Sequence, residues 1–294
     1  MRLVSYLFEG AVRAGVEQDD RVLPAEVLEF GRGGVTQAVT VRELLRLGPQ
    51  RLAEVLDSAR SLIQNGKGLA GTMGELHLVA ALPDPDKILC LGQNYSEHVA
   101  EMGSQRPAAP NIFAKFRNGL VGSGEPIRLP EASAQVDYEG ELAVVMGRRC
   151  SRVSPDEAMG YVGGYTVMND VSARDLQFRT GQYTIGKAVD TFCPLGPGIV
   201  PAAEVEDPQR LGLVTRLNGE VMQNGNTADM LFSIAESISF ISQVITLECG
   251  DVIATGTPAG VGYKRVPPRF LRPGDLIEVE VEGVGRLSNP VVKG

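Results

Sequence analysis

Cysteine is scarce and scattered in this 294-residue chain: Cys90, Cys150, Cys193 and Cys249 form no CxxC pair. Isolated thiols of this kind read as buried, reduced core residues, which argues against a disulfide framework or a thiolate zinc site. No basic run stands out, and 28 Lys and Arg face 36 Asp and Glu, for a formal charge of -8. Nucleic acid and anionic membrane surfaces are therefore poor partners. No apolar run reaches the ~18 residues of a membrane-spanning helix. The N-terminal Met1-Arg2-Leu3-Val4-Ser5-Tyr6 reads as a strand rather than a signal peptide. The expectation is a soluble cytoplasmic protein. No internal repeat is present, and histidine occurs only as His77 and His98. What the chain does have is 43% hydrophobic and 22% charged residues, enough apolar surface to exclude a disordered polypeptide. Its 35 glycines and 18 prolines point to many turns and short strands. At roughly 150 residues per domain, the length predicts about two domains.

Residues 1–82 read as a small α/β unit. Val4 to Leu7 and Val22 to Leu23 are strand candidates, and Thr40-Val41-Arg42-Glu43 has the spacing of a capping box. Gly48 and Pro49 separate that helix from a second, on which Leu52, Val55, Leu56, Ala59 and Ile63 recur at helical spacing before Asn65-Gly66. Pro83-Asp84-Pro85-Asp86 is the best linker, because neither proline can continue regular structure. Residues 83–294 then read as a mainly β unit. Strands are predicted at Ile88 to Leu91, Ile112 to Phe116, Val136 to Met146, Gly164 to Met168, Asp251 to Ala254 and Leu276 to Glu282. Asn218-Gly219 predicts a hairpin turn inside Leu213 to Met222, since both positions need positive φ. Ser96 is a cap candidate for a brief helix ended by Gly103, Ser154-Pro155-Asp156-Glu157 is a second capping box, and an amphipathic helix is predicted over Met230 to Ile245.

The most informative stretch is Asp137-Tyr138-Glu139-Gly140-Glu141-Leu142. On one strand its three acids would share a face, with the Cα atoms of Glu139 and Glu141 about 7 Å apart at ~3.4 Å per residue. In a partly dry site such carboxylates repel, and one protonates unless a cation intervenes. Oxygen donors favour Mg²⁺, Mn²⁺ or Ca²⁺ over zinc. A solvated strand face is the competing reading; Glu278, Glu280 and Glu282 alternate in the same way. Asn169-Asp170-Val171-Ser172-Ala173-Arg174-Asp175 follows at a strand end, and then Gly186-Lys187, a lysine in an apolar stretch whose bland alternative is an ion pair with Asp190.

Together with Ile88-Leu89-Cys90-Leu91-Gly92-Gln93-Asn94-Tyr95, Ser96-Glu97-His98, Leu176-Gln177 and Gly250-Asp251-Val252-Ile253-Ala254-Thr255-Gly256-Thr257-Pro258, these segments resemble the fumarylacetoacetate hydrolase family, in its acylpyruvase-like branch. The likeness runs in order from about Lys87 to the C-terminus. It implies a mixed β-roll or sandwich preceded by a small α/β domain, usually dimeric, with a metal cleft in the C-terminal domain. It also implies Glu139, Glu141 and Asp170 as ligands of a divalent ion, Mg²⁺ or else Mn²⁺ or Ca²⁺, while Asp137 is not a ligand. Lys187, Gln177 and Thr257 correspond to substrate-site groups, and His98 and Glu101 to a pair on a mobile lid helix.

The residues support that chemistry. A 2-oxo acid can chelate through two oxygens, and Lys187 adds positive charge beside the enolate that forms. His98 and Glu101, three apart, share a helix face, so the carboxylate can orient an imidazole acting as a base; an exposed helix histidine is the bland alternative. His77, in an apolar run, reads as a core residue. Arg117, Arg174 and Arg179 are candidates for binding a second carboxylate, with Arg174 able instead to pair with Asp175. The leading expectation is a hydrolase that cleaves an acylpyruvate C–C bond through a metal-bound enolate. Decarboxylation of oxaloacetate-type acids, or isomerisation of unsaturated keto-dioates, uses the same parts without a water nucleophile. A non-enzymatic metal- and anion-binding module is the remote alternative. Thr255 to Gly262 lacks the phosphate-binding fingerprints and reads as a tight turn that brings backbone close to substrate.

Overall fold

The computed structural model describes residues 1–28 and 39–294. Arg2–Phe8 pairs antiparallel with Ala11–Gln18, which pairs with Arg21–Pro24. On its other side Arg2–Phe8 meets Cys193–Pro201 through Leu3 and Ile199, so the N-terminal strands extend the main sheet. That sheet continues through Val162–Asn169, Gly140–Met146, Val252–Ala254, Ile88–Gly92 and Asn111–Lys115. Val252–Ala254 runs parallel to Ile88–Gly92, and its other neighbour is antiparallel. A second sheet of five strands is ordered Glu220–Asn226, Gly212–Leu217, Leu276–Val281, Gly285–Lys293, Ile127–Leu129. The protein is thus mainly β with mixed sheets, in agreement with the sequence. Among the described residues no helix is long and apolar enough to cross a membrane.

Strand alternation sets the layers. Leu142, Val144 and Met146 face Leu213, Val279 and Leu287 of the second sheet, with Ile238 and Ile241 of the helix Ile234–Ser242. Ala143 and Val145 face the opposite way, toward Leu44, Leu52 and Leu56 of the helices Val41–Arg46 and Gly48–Gln64. Each fully buried Leu, Val or Ile contributes roughly 1.5–3 kcal/mol, so the central strand is fixed from both faces. Where it enters the sheet, a Cβ on Gly140 would overlap Thr215 Oγ1 and lie 2.8 Å from Val279 Cγ1. Only glycine lets the two sheets close between Glu139 and Glu141.

The capping boxes at Thr40–Glu43 and Ser154–Glu157 form, and Asn218 and Gly219 take φ of 53° and 83° at the predicted hairpin. Four expectations need correction. The amphipathic helix spans Ile234–Ser242 only, because a capping box from Ser233 to Glu236 starts it and Met230 bridges to Tyr95. Ser96 is the first helical residue, not the cap; Tyr95 takes that position. His77 is exposed beside Glu125, because the short strand His77–Leu78 turns Leu78 inward instead. The strand expected over Val136 to Met146 is broken: Val136–Asp137 pairs with Ser172–Ala173, and regular pairing resumes at Gly140.

Candidate active site

That break gives the acidic row its shape. Asp137 turns away, while Glu139 and Glu141 converge with Asp170, which follows the strand Val162–Asn169. Register explains the meeting: Gly140 pairs with Asn169, and Asp170 N–H donates to the Glu139 carbonyl at 2.8 Å. One oxygen from each of the three carboxylates lies within 4.8 Å of the others. All three are buried, beneath a cavity of about 420 Å³ whose walls include His98, Arg174, Gln177, Lys187 and Thr257. A second cavity of about 240 Å³, between Leu52 and Tyr161, is mainly apolar, with Asp57, Arg60, Arg148 and Glu204 among its walls.

Basic side chains meet two of the three carboxylates. Lys187 Nζ donates to Glu139 Oε2 at 2.6 Å and to Asp170 Oδ2 at 2.7 Å. Arg174 Nη1 lies 2.7 Å from Glu139 Oε1, and Lys115 Nζ donates to Asp170 Oδ1 and to the Val171 carbonyl. Burial opposes ionisation of Glu139, but Lys187 and Arg174 outweigh it and hold its pKa below the ordinary carboxylate value. Burial likewise opposes the charge on Lys187, yet Asp170 and Glu139 prevail and keep its pKa above that of a free lysine. Glu141 differs. It is 1% exposed, accepts one hydrogen bond from Gly256 N–H at 2.7 Å, and has no basic side chain in contact among the described residues. Burial, reinforced by Asp170 and Glu139, pushes its pKa well above the ordinary value.

A divalent cation fits this arrangement. Within the connected cluster, four carboxylates (Asp137, Glu139, Glu141, Asp170) face three cations (Lys115, Arg174, Lys187), leaving the charge of Glu141 unbalanced. The donors are all carboxylate oxygens, which hard ions prefer. Their spacing approaches the roughly 4–5 Å that two metal–oxygen bonds of about 2.1–2.5 Å bridge.

The helix Ser96–Met102 ends at Gly103, whose φ is 68°. It buries His98 against the cavity, so the exposed-helix reading fails. His98 Nδ1 lies 3.2 Å from Glu101 Oε2, and Glu101 Oε1 accepts from Gly260 N–H at 2.9 Å. Gln177 Oε1 accepts from Arg174 Nη1. Gln177 and Lys187 sit on two short helices packed so closely that a Cβ on Gly186 would lie 2.5 Å from Gln177 N. Thr257 Oγ1 donates to the Gly140 carbonyl and accepts from Gln223 Nε2, so only a lone pair remains for a ligand.

The bland pairings proposed for Lys187 and Arg174 are absent: Asp190 accepts from Asn118, and Asp175 from Ser133 and Ala134. Arg117 pairs with Asp86 away from the cavity, and Arg179 is exposed. Two residues of the ion-pair cluster escaped the sequence reading. Lys115 lies in a predicted strand, and its only signal in the sequence is a lone charge within Ile112-Phe113-Ala114-Lys115-Phe116. Asp137 had no assigned role, yet it is fully buried, pairs with Arg174 at 2.8 Å, and accepts from Gly262 and Tyr263 N–H. The turn Thr255 to Gly262 does more than approach a ligand. Through Gly256, Gly260 and Gly262 it gives one backbone N–H each to Glu141, Glu101 and Asp137.

Comparison with known proteins agrees with this geometry. The chain is 42% identical over 296 aligned positions to a mitochondrial oxaloacetate tautomerase of Xenopus laevis, covering 99% of this chain and 90% of that one. It is 46% identical over 224 residues to an oxaloacetate tautomerase of Bacillus subtilis, covering 75% and 74% respectively. A fumarylacetoacetate hydrolase from the psychrophile Exiguobacterium antarcticum superposes with a TM-score of 0.84 at 35% identity, over 100% of both chains. The mitochondrial label on the first relative means that kinship alone does not assign the cytoplasm expected from the N-terminus. Residues 87–292 match the family model described as fumarylacetoacetate (FAA) hydrolase C-terminal. With that match joined to the acidic triad and the fold, the chain belongs to the fumarylacetoacetate hydrolase family.

Proposed function

We propose that this protein is a divalent-metal-dependent enzyme that interconverts the keto and enol forms of a 2-oxo acid of the oxaloacetate class. The observation that carries the reading is Glu141, a buried carboxylate without a cation at the centre of an otherwise paired cluster. The chain's relatives include two proteins named as oxaloacetate tautomerases, which supports proton transfer over the hydrolysis first expected. Glu139, Glu141 and Asp170 would hold the ion, which we assign as Mg²⁺, with Mn²⁺ or Ca²⁺ suited to the same donors. When bound, it would polarise the 2-oxo group and acidify the neighbouring C–H.

The remaining work falls to this chain's side chains. Lys187 uses two of its three N–H groups on Glu139 and Asp170, leaving one to donate to the substrate oxygen that gains charge. Glu101, on Nδ1 of His98, keeps a proton there and leaves Nε2 as the basic nitrogen toward the cavity. Nε2 removes a proton from C3, and the C–H electron pair forms the C2–C3 double bond. The same imidazole then returns the proton to the C2 oxygen, so nothing is gained or lost overall. Gln177 Nε2, which has no partner among the described residues, would bind the substrate carboxylate, while Arg174 holds Glu139 and Gln177 in position. No water nucleophile is required.

The direct test follows the decay of enol-oxaloacetate absorbance with purified protein and Mg²⁺. Ketonisation should outpace the buffer reaction without release of pyruvate, and EDTA should abolish it. Replacing His98 by alanine should slow it by on the order of 10²–10⁴. Acceleration that survives EDTA, or rapid release of acetate from acetylpyruvate with no effect on enol-oxaloacetate, would overturn the reading.

A further inference from the structure

The cations closest to the triad are already paired with the protein's own acids, so a second substrate carboxylate would have to share them. Arg174 is engaged by Asp137, Glu139 and Gln177, Lys187 by Glu139 and Asp170, and Lys115 by Asp170 and Val171. Lys264 differs from all three. It lines the same cavity, is half-buried, and has no carboxylate within 4.0 Å among the described residues. Its ammonium makes one long contact, 3.4 Å to the Met102 carbonyl at the end of the helix that carries His98. Tyr263 lies beneath it, with the ring centre 5.4 Å from Nζ, and Tyr263 in turn packs on Phe178.

The position of Lys264 is fixed by the fold rather than by its own contacts. Asp137 accepts from Gly262 N–H at 2.8 Å and Tyr263 N–H at 3.0 Å, and the same carboxylate pairs with Arg174. One buried anion therefore sets the turn Gly262–Lys264 against the floor of the cavity. A half-buried ammonium that faces the cavity without an anion of its own is arranged to receive one from the ligand.

We propose that Lys264 binds the distal carboxylate of a dicarboxylic 2-oxo acid and so selects oxaloacetate-type substrates over those with a single carboxylate. The proposal rests on the tautomerase reading, whose substrate class it specifies. The competing role is a tether that closes the His98 helix through Met102. A tether would affect every ligand alike, whereas a carboxylate receptor affects only ligands that reach it.

Oxalate separates the two, because it presents the chelating pair of oxygens and no group beyond. In Lys264→Met, the KM for oxaloacetate should rise by roughly ten- to hundredfold, while the calorimetric Kd for oxalate with Mg²⁺ shifts by less than about threefold. Lys264→Arg should recover most of the loss, and Lys264→Glu should exceed it. A parallel rise of the oxaloacetate KM and the oxalate Kd would assign Lys264 to the tether and overturn the proposal, as would no change in either. If the wild-type protein binds oxalate with Mg²⁺ but does not accelerate enol-oxaloacetate decay, the tautomerase reading itself fails.

Discussion

Replacing Lys115 by methionine removes a fully buried ammonium while keeping most of its aliphatic bulk. Its Nζ donates to Asp170 Oδ1 and the Val171 carbonyl, and the side chain is 0% exposed, as is Asp170. Loss of one partner from a buried ion pair costs about 3–5 kcal/mol, because the surviving charge stays buried and uncompensated. Loss of a neutral hydrogen bond would cost only about 0.5–1.5 kcal/mol. Lys187 still contacts Asp170 Oδ2, which places the expected loss near the lower end, about 3 kcal/mol. Urea denaturation of the metal-free protein measures it. The double variant Lys115→Met/Asp170→Asn keeps the experiment decisive if the single variant does not fold. With both charges gone, its loss of stability should fall short of the sum of the two single losses by about 2 kcal/mol or more. Additive losses, or a Lys115→Met cost below about 1.5 kcal/mol, would refute the argument that Lys115 balances Asp170.

Glu141→Gln should stabilise the metal-free protein while abolishing turnover, because the amide keeps the shape and replaces a buried acid whose ionisation no basic side chain compensates. Saturating the wild type with Mg²⁺ at about 100 times its Kd should add roughly 2.7 kcal/mol, and the variant should gain nothing. Because Glu141 has a raised pKa when folded, the native state holds a proton that the unfolded chain loses above about 4.5. Metal-free wild type should therefore lose stability as pH rises above that point. The lowered pKa of Glu139 acts in the other window, where stability is lost as pH falls below 4.5. A pH series on Glu141→Gln that keeps the upper slope would reject the assignment. Gly186→Ala forces a Cβ to 2.5 Å from Gln177 N and must part the two short helices. A displacement of about 1 Å at Lys187 can cost on the order of 10²-fold in kcat, with Mg²⁺ affinity as the control for folding.

Much of the fold was legible because it obeys local rules. The unbroken apolar run Leu142 to Met146, the Asn218-Gly219 turn and two capping boxes each encode their structure within a few residues. The three acids of the triad were legible too, since spacing by two on a strand carries Glu139 and Glu141 together and a motif carries Asp170. Lys115, Asp137 and Lys264 were not legible, for a shared reason. Each owes its environment to partners 37 to 162 positions away: Asp170 for Lys115, Arg174 for Asp137, Met102 for Lys264. His77 failed differently, because a two-residue strand between turns is too short for the apolar neighbours of a residue to indicate its face.

The peptide amides of Gly256, Gly260 and Gly262 hold three functionally distinct acids in place: one in the triad, one orienting the imidazole, one beneath Arg174. Each of these amides belongs to a glycine with no room for a side chain: an added Cβ would lie 2.8 Å from Asn94 Cβ at Gly256, 2.2 Å from the Met222 carbonyl at Gly260 and 1.9 Å from the Arg269 carbonyl at Gly262. One short stretch of main chain is therefore a shared anchor, and a bulkier residue at any of the three glycines would shift a carboxylate whose own side chain had not been touched.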